Sequence, residues 1–126
     1  MKTLKYYKHL SLLVLVVSLS IFTIPTFAST KTITKSNDLV VVKLKYTSYQ
    51  DSQGRKLVKD GKIVSVQGKR SPIYLWEYSP VKYSLSRIDG GRTYKVSITG
   101  NHFTNTITGG QHSYTETTSL EFSYVK

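Results

Sequence analysis

The chain has no cysteine, 3 prolines, one tryptophan and only 7 acidic residues against 18 lysines and arginines. Without cysteine there are no disulfides, no zinc–thiolate centre, no cysteine nucleophile and no lipid-modified cysteine. A small exported domain lacking such cross-links depends on its hydrophobic core, which must be continuous. The shortage of acids leaves a formal net charge of +11. It also leaves few carboxylates for acid–base or metal chemistry. After the first 24 residues no long apolar run occurs, and no segment holds helical periodicity over three turns.

Residues 1–28 have the layout of a secretory signal peptide, with a signal helix expected. Lys2, Lys5 and Lys8 form a basic start, and Leu10–Ile24 is apolar with only Ser and Thr interruptions. Thr26 and Ala28 are the small residues before a cut after Ala28. The apolar run of 15 residues is short for a bilayer span, which takes about 20. Cleavage removes three lysines and no acid, so the mature charge falls to +8. The long basic start and the cysteine-free product suggest a Gram-positive bacterium. Localisation is therefore expected to be secreted, extracellular or associated with the cell wall.

Residues 29–37 are rich in Thr, Ser and Lys and read as a flexible lead-in. From 38 to 126 the chain reads as one β domain. Val40, Val42, Leu44 and Tyr46 alternate with Val41, Lys43, Lys45 and Thr47, the period-2 mark of a half-buried strand. Asp60-Gly61 between two apolar pairs predicts a type I′ hairpin turn. Further turns are expected at 51–54, 90–91, 100–101 and 109–110, and Pro80 is expected to end a strand. Tyr94, Val96 and Ile98 alternate with Lys95, Ser97 and Thr99, and Leu120, Phe122 and Tyr124 repeat the pattern. The spacing predicts seven or eight short strands in an all-β antiparallel sandwich or small barrel.

Ile88, Gly91 and Tyr94, followed by Val96 and Ile98, resemble the corner before a core strand in fibronectin type III and related immunoglobulin-like domains. Gly90 stands where that pattern has Pro. The resemblance covers residues 83–98 and implies a small immunoglobulin-like β-sandwich with Tyr94 buried and its hydroxyl bonded to backbone a few residues upstream. It implies no activity.

No catalytic constellation is legible: there is no Gly-x-Ser-x-Gly elbow and no phosphate-cradling loop before a helix. His102 and His112 could meet across the 109–110 hairpin and, with Glu116, bind a metal. Exposed hairpin histidines are the simpler reading, because zinc takes three or four ligands. No metal, cofactor or enzymatic activity is therefore expected. The basic residues are more informative. Arg55, Lys56, Lys59, Lys62, Lys69 and Arg70 put six cations within 16 residues that include one acid, Asp60. Such a surface attracts polyanions over about 8–10 Å at physiological salt. For an exported protein these are anionic cell-wall polymers or a membrane surface rather than nucleic acid. The expected function is a secreted, basic, non-enzymatic envelope-binding protein. The alternative is a secreted antibacterial protein similar in plan to lactococcin-972-like bacteriocins, which share a signal, a basic cysteine-free β product and aromatic-rich strands. This chain lacks their Trp-Gly-rich opening. The eight tyrosines after residue 28 serve either as half-buried strand formers or as an exposed platform for sugar rings.

Overall fold

A computed structural model describes residues 27–73, 75–106 and 109–126. The signal helix therefore lies outside the described residues, as does Tyr74. Six strands follow one another: β1 (Ala28–Ser36), β2 (Val40–Gln50), β3 (Lys56–Gly68), β4 (Trp76–Ile88), β5 (Thr93–Asn105) and β6 (Gln111–Ser123). A short 3₁₀ turn at Asp89–Gly91 joins β4 to β5. Strands β1-β2-β3 form one antiparallel sheet and β4-β5-β6 the other, each in chain order. The two sheets bury one shared cluster: Val40, Val42, Leu44, Tyr46 and Val58 from the first, and Tyr78, Tyr94, Val96, Ile98 and Phe122 from the second.

The expected inner faces of β2 and β5 are the observed ones. Turns form at 51–54 and 89–91, and β5 and β6 make the final hairpin. The strand number is smaller than expected because three turn-like sequences lie inside long strands. Asp60-Gly61 is not a hairpin turn; β3 runs straight through it. Lys45 pairs with Lys62 and Thr47 with Lys59, so Asp60 and Gly61 together oppose Tyr46 as a β-bulge. The positive φ of 56° falls on Asp60, a residue type that tolerates it. Pro80 does not end β4 but precedes another register shift, between Pro80 and Lys82. Gly100-Asn101 is not a turn but the middle of β5, where Gly100 lies under the Tyr78 ring. A Cβ there would come within 2.8 Å of Tyr78 Cζ.

Residues 29–37 are not a flexible lead-in. From Ala28 to Ser36 every residue pairs with β2. The segment looked like a linker because it is an edge strand that packs only Ile33 against the core. Its Lys31 and Lys35 share the inner face with Ile33 and donate Nζ–H bonds to the carbonyls of Lys126 (2.6 Å) and Glu121 (2.8 Å). Inward-pointing charge of this kind blunts a sheet edge.

Tyr94 is buried, as the corner resemblance implies, but its hydroxyl does not bond upstream along its own strand. It accepts the N–H of Gly61, 2.8 Å away in the opposite sheet. Two further tyrosines anchor their hydroxyls on backbone: Tyr46 donates to Ser123 O (2.6 Å) and Tyr78 to Glu116 O (2.7 Å). The Tyr46 ring meets Tyr94 and Phe122 edge-on at 5.9 and 6.2 Å. Burial pushes the Tyr46 phenol above its ordinary value of 10.0, and burial, aided by the Glu116 charge, does the same for Tyr78. A phenol whose folded value is raised contributes stability that is intact below the unfolded value and is lost as pH rises through the folded one. The melting temperature should accordingly hold to about pH 9 and fall steeply above pH 10. Exposed tyrosines such as Tyr83 and Tyr114 ionise without unfolding, so it is the last fraction of tyrosinate absorbance that should appear together with loss of tertiary circular dichroism; ionisation of Tyr46 and Tyr78 without unfolding would contradict this.

Candidate functional site

Strand register decides where the basic residues go. On the outer face of the first sheet, Thr30, Thr47 and Lys59 form one row across β1, β2 and β3. Thr32, Lys45 and Lys62 form the next, and Thr34, Lys43 and Ser65 the third. Four lysines thus share a face with threonines, and no carboxylate occupies a paired position in these rows. Asp60 sits in the bulge between Lys59 and Lys62. Lys45 and Lys62 are direct neighbours, where Cβ atoms are about 4.5–5.5 Å apart. The Lys59 ammonium lies over the Tyr49 ring, 4.8 Å from its centre.

The six sequence-predicted cations do not gather at one tip, because β3 is a single strand. Arg55 pairs with Asp51 at 2.6 Å in the loop before β3. Burial works to raise the Asp51 carboxyl, yet bonds from the Arg55 N–H, its guanidinium and the Gln53 N–H outweigh it and hold the group below its ordinary value of 3.8. Lys56 turns to the Tyr124 ring at 5.4 Å. Lys69 and Arg70 lie past the other end of β3, roughly 40 Å from Lys56 along an extended strand. There the Arg70 backbone forms an isolated antiparallel β-bridge with that of Glu77. Of the six, Lys59 and Lys62 share the outer face of the first sheet with Lys43 and Lys45. The alternation of β2 showed that Lys43 and Lys45 share a face; the bulge that brings Lys59 and Lys62 beside them was hidden by the Asp-Gly turn signal.

A second arrangement lies at one end of the second sheet. His102 stands between Tyr78 and Tyr114 in one row across β4, β5 and β6. Its Nδ1 is 2.8 Å from Glu116 Oε2 and 2.8 Å from the Tyr114 hydroxyl. A carboxylate only accepts, so Nδ1 carries the hydrogen and the Tyr114 oxygen shares it. Nε2 is buried and makes no hydrogen bond among the described residues. The Trp76 ring meets the imidazole edge-on at 5.7 Å. A cavity of about 310 Å³ opens here, lined by Asp38, Leu39, Trp76, His102 and Thr104. His112 lies opposite Thr104, one row along, and His102 takes Glu116 as its partner instead. No group of three or more His, Cys, Asp or Glu side chains is placed to hold a metal among the described residues.

Comparison with family models, curated proteins and solved structures finds no match to this chain in any of the three.

Proposed function

We propose that the protein is a secreted, non-enzymatic β-sandwich that binds linear polyanions of the bacterial cell envelope through the outer face of its first sheet. One observation carries this reading: Lys43, Lys45, Lys59 and Lys62 are held on one face of the sheet with no acid in a paired position. Along a strand, every second residue is about 6.6 Å further on, so the four charges form a compact, rigid array whose potentials add. Thr32 and Thr34, exposed on the neighbouring strand β1, supply hydroxyls for polar contacts with a phosphate-bearing chain. An inert basic surface has no need to place two lysines directly opposite each other, an arrangement that costs stability. The fibronectin type III likeness of residues 83–98 extends in this reading to the buried Tyr94 and its bond to backbone. The strand order departs from it, because immunoglobulin-like sandwiches use Greek-key connections whereas each sheet here is a simple meander.

The test is co-sedimentation with purified cell wall and with anionic vesicles across a salt series. Binding should weaken steeply from low to physiological salt. Lys45→Gln with Lys62→Gln should bind more weakly still, while its melting temperature holds or rises by the relief of about 0.2–1 kcal/mol of repulsion. Equal binding by the two proteins, or binding indifferent to salt, would remove the lysine face as the functional feature. Growth arrest of bacteria by low concentrations of the protein would favour the antibacterial alternative.

A further inference from the structure

The cavity beside His102 is a built pocket with a chemistry unlike that of the lysine face. Trp76 and Thr104 face each other across β4 and β5. The other wall, Asp38 and Leu39, comes from the β1–β2 connection of the opposite sheet. That connection is fixed. Asn37 Oδ1 accepts the N–H groups of Leu39 (2.9 Å) and Val40 (3.0 Å). Asn37 Nδ2 donates to Thr118 Oγ1 of β6 at 2.8 Å, and the Lys69 N–H donates to Leu39 O at 2.7 Å. Both walls are therefore set before any ligand arrives, which lowers the cost of binding.

The lining is an indole, a leucine, a carboxylate, a hydroxyl and an imidazole. The carboxylate of Asp38 disfavours an anion, so this is not a second phosphate site. About 310 Å³ lies at the small end of ligand pockets, with room for one ring. An aromatic wall with a few convergent polar groups matches a ring with apolar C–H faces and hydroxyl edges. Asp38 accepts from a hydroxyl, and Thr104 donates or accepts. His102 Nε2, whose neighbour Nδ1 is taken up by Glu116 and Tyr114, is a buried polar atom with no hydrogen-bond partner among the described residues, the kind of group that calls for an explanation. From this juxtaposition we propose that the pocket binds a single uncharged pyranose ring, with Trp76 as the stacking wall and Asp38 and Thr104 holding its hydroxyls. The inference does not rest on the polyanion reading.

Trp76 is the one tryptophan of the chain, so its fluorescence reports this pocket and nothing else. The probes are methyl β-glucopyranoside, methyl N-acetyl-β-glucosaminide and, as the competing chemistry, tetramethylammonium. At least one glycoside should give a saturable change with Kd on the order of 1 mM, the scale for so small a ligand. Asp38→Asn and Thr104→Val should each weaken it about tenfold with no change in melting temperature. Lys45→Gln with Lys62→Gln should bind the glycoside as the parent does, which separates failure of the pocket from failure of the lysine face. No saturable response to either glycoside, undiminished affinity in both pocket variants, or saturation by tetramethylammonium alone would each overturn the assignment.

Discussion

Gly68→Ala should remove a large share of the protein's stability and lower its urea midpoint far more than a glycine substitution in open space does. A Cβ on Gly68 would stand 1.7 Å from the Tyr78 carbonyl oxygen and 2.9 Å from Pro80 Cδ. Neither partner can retreat. Tyr78 is in register with His102 in the β4–β5 ladder, its N–H donates to Lys69 O at 2.9 Å, and its ring is 1% exposed with the hydroxyl bonded to Glu116 O. Relief would require parting the two sheets at the end where the chain crosses between them. Overpacking with room to adjust costs about 1–3 kcal/mol; here the obstacle is backbone, so the cost should exceed about 3 kcal/mol. A domain of this size has about 5–15 kcal/mol in total. The control is Gly54→Ala, which has a φ of 78° but nothing within 4 Å of the added carbon. It should lose only about 1 kcal/mol, from backbone strain. Urea midpoints compare the two, and equal losses would mean that the close approach is not structural.

The second large effect is a coupling between the sheets. The Gly61 α-carbon lies against the Tyr94 ring, so that a Cβ would come 2.5 Å from Cζ. Gly61→Ala should displace the ring and break the bond from the Gly61 N–H to the hydroxyl, costing about 2–4 kcal/mol. Tyr94→Ala removes a ring that is 7% exposed and should cost about 3–5 kcal/mol. The double variant should cost little more than Tyr94→Ala alone, because the added methyl then has no ring to meet. The expected coupling is thus about 2 kcal/mol or more, at the upper end for residues in contact. Strict additivity in denaturant titrations would show that the two residues do not touch. Tyr94→Phe isolates the hydroxyl and should cost about 1–3 kcal/mol.

These positions also show what the sequence made legible. Alternation identified the inner faces of β2, β5 and β6, because a strand with one dry side must bury every second residue. Asp51–Gly54 and Asp89–Gly91 were readable as turns because they lie between apolar patterns. Asp60-Gly61 and Gly100-Asn101 carry the same chemistry for another purpose. Gly61 and Gly100 each yield space to a tyrosine ring, and Asp60 takes the left-handed position of a bulge. Nothing local separates a glycine that turns the chain from one that admits a ring from elsewhere; the difference resides in Tyr94, 33 residues away. For the same reason the bulge-dependent lysine face was only half visible, through Lys43 and Lys45. The pocket was hidden more fully, since Asp38 and His102 become neighbours only when the two sheets meet. The sequence spacing groups His102 and Glu116 with His112 across a turn, whereas in the fold His102 takes Glu116 and Tyr114.

Each sheet is made wholly from one stretch of the chain, residues 28–68 and 76–123, and among the described residues no strand ladder is shared between these halves beyond the β-bridge of Arg70 to Glu77. Strand pairing therefore closes only short loops, and each meander can assemble before the other exists, which lowers contact order relative to a Greek-key sandwich and favours faster folding. The same division leaves the connection that follows Gly68 as the covalent joint between the halves. What joins the halves is side-chain packing and a small set of cross-sheet bonds, all of which a second copy could supply equally well. At high concentration the first half of one chain is a ready partner for the second half of another, so this fold carries a built-in route to exchanged dimers.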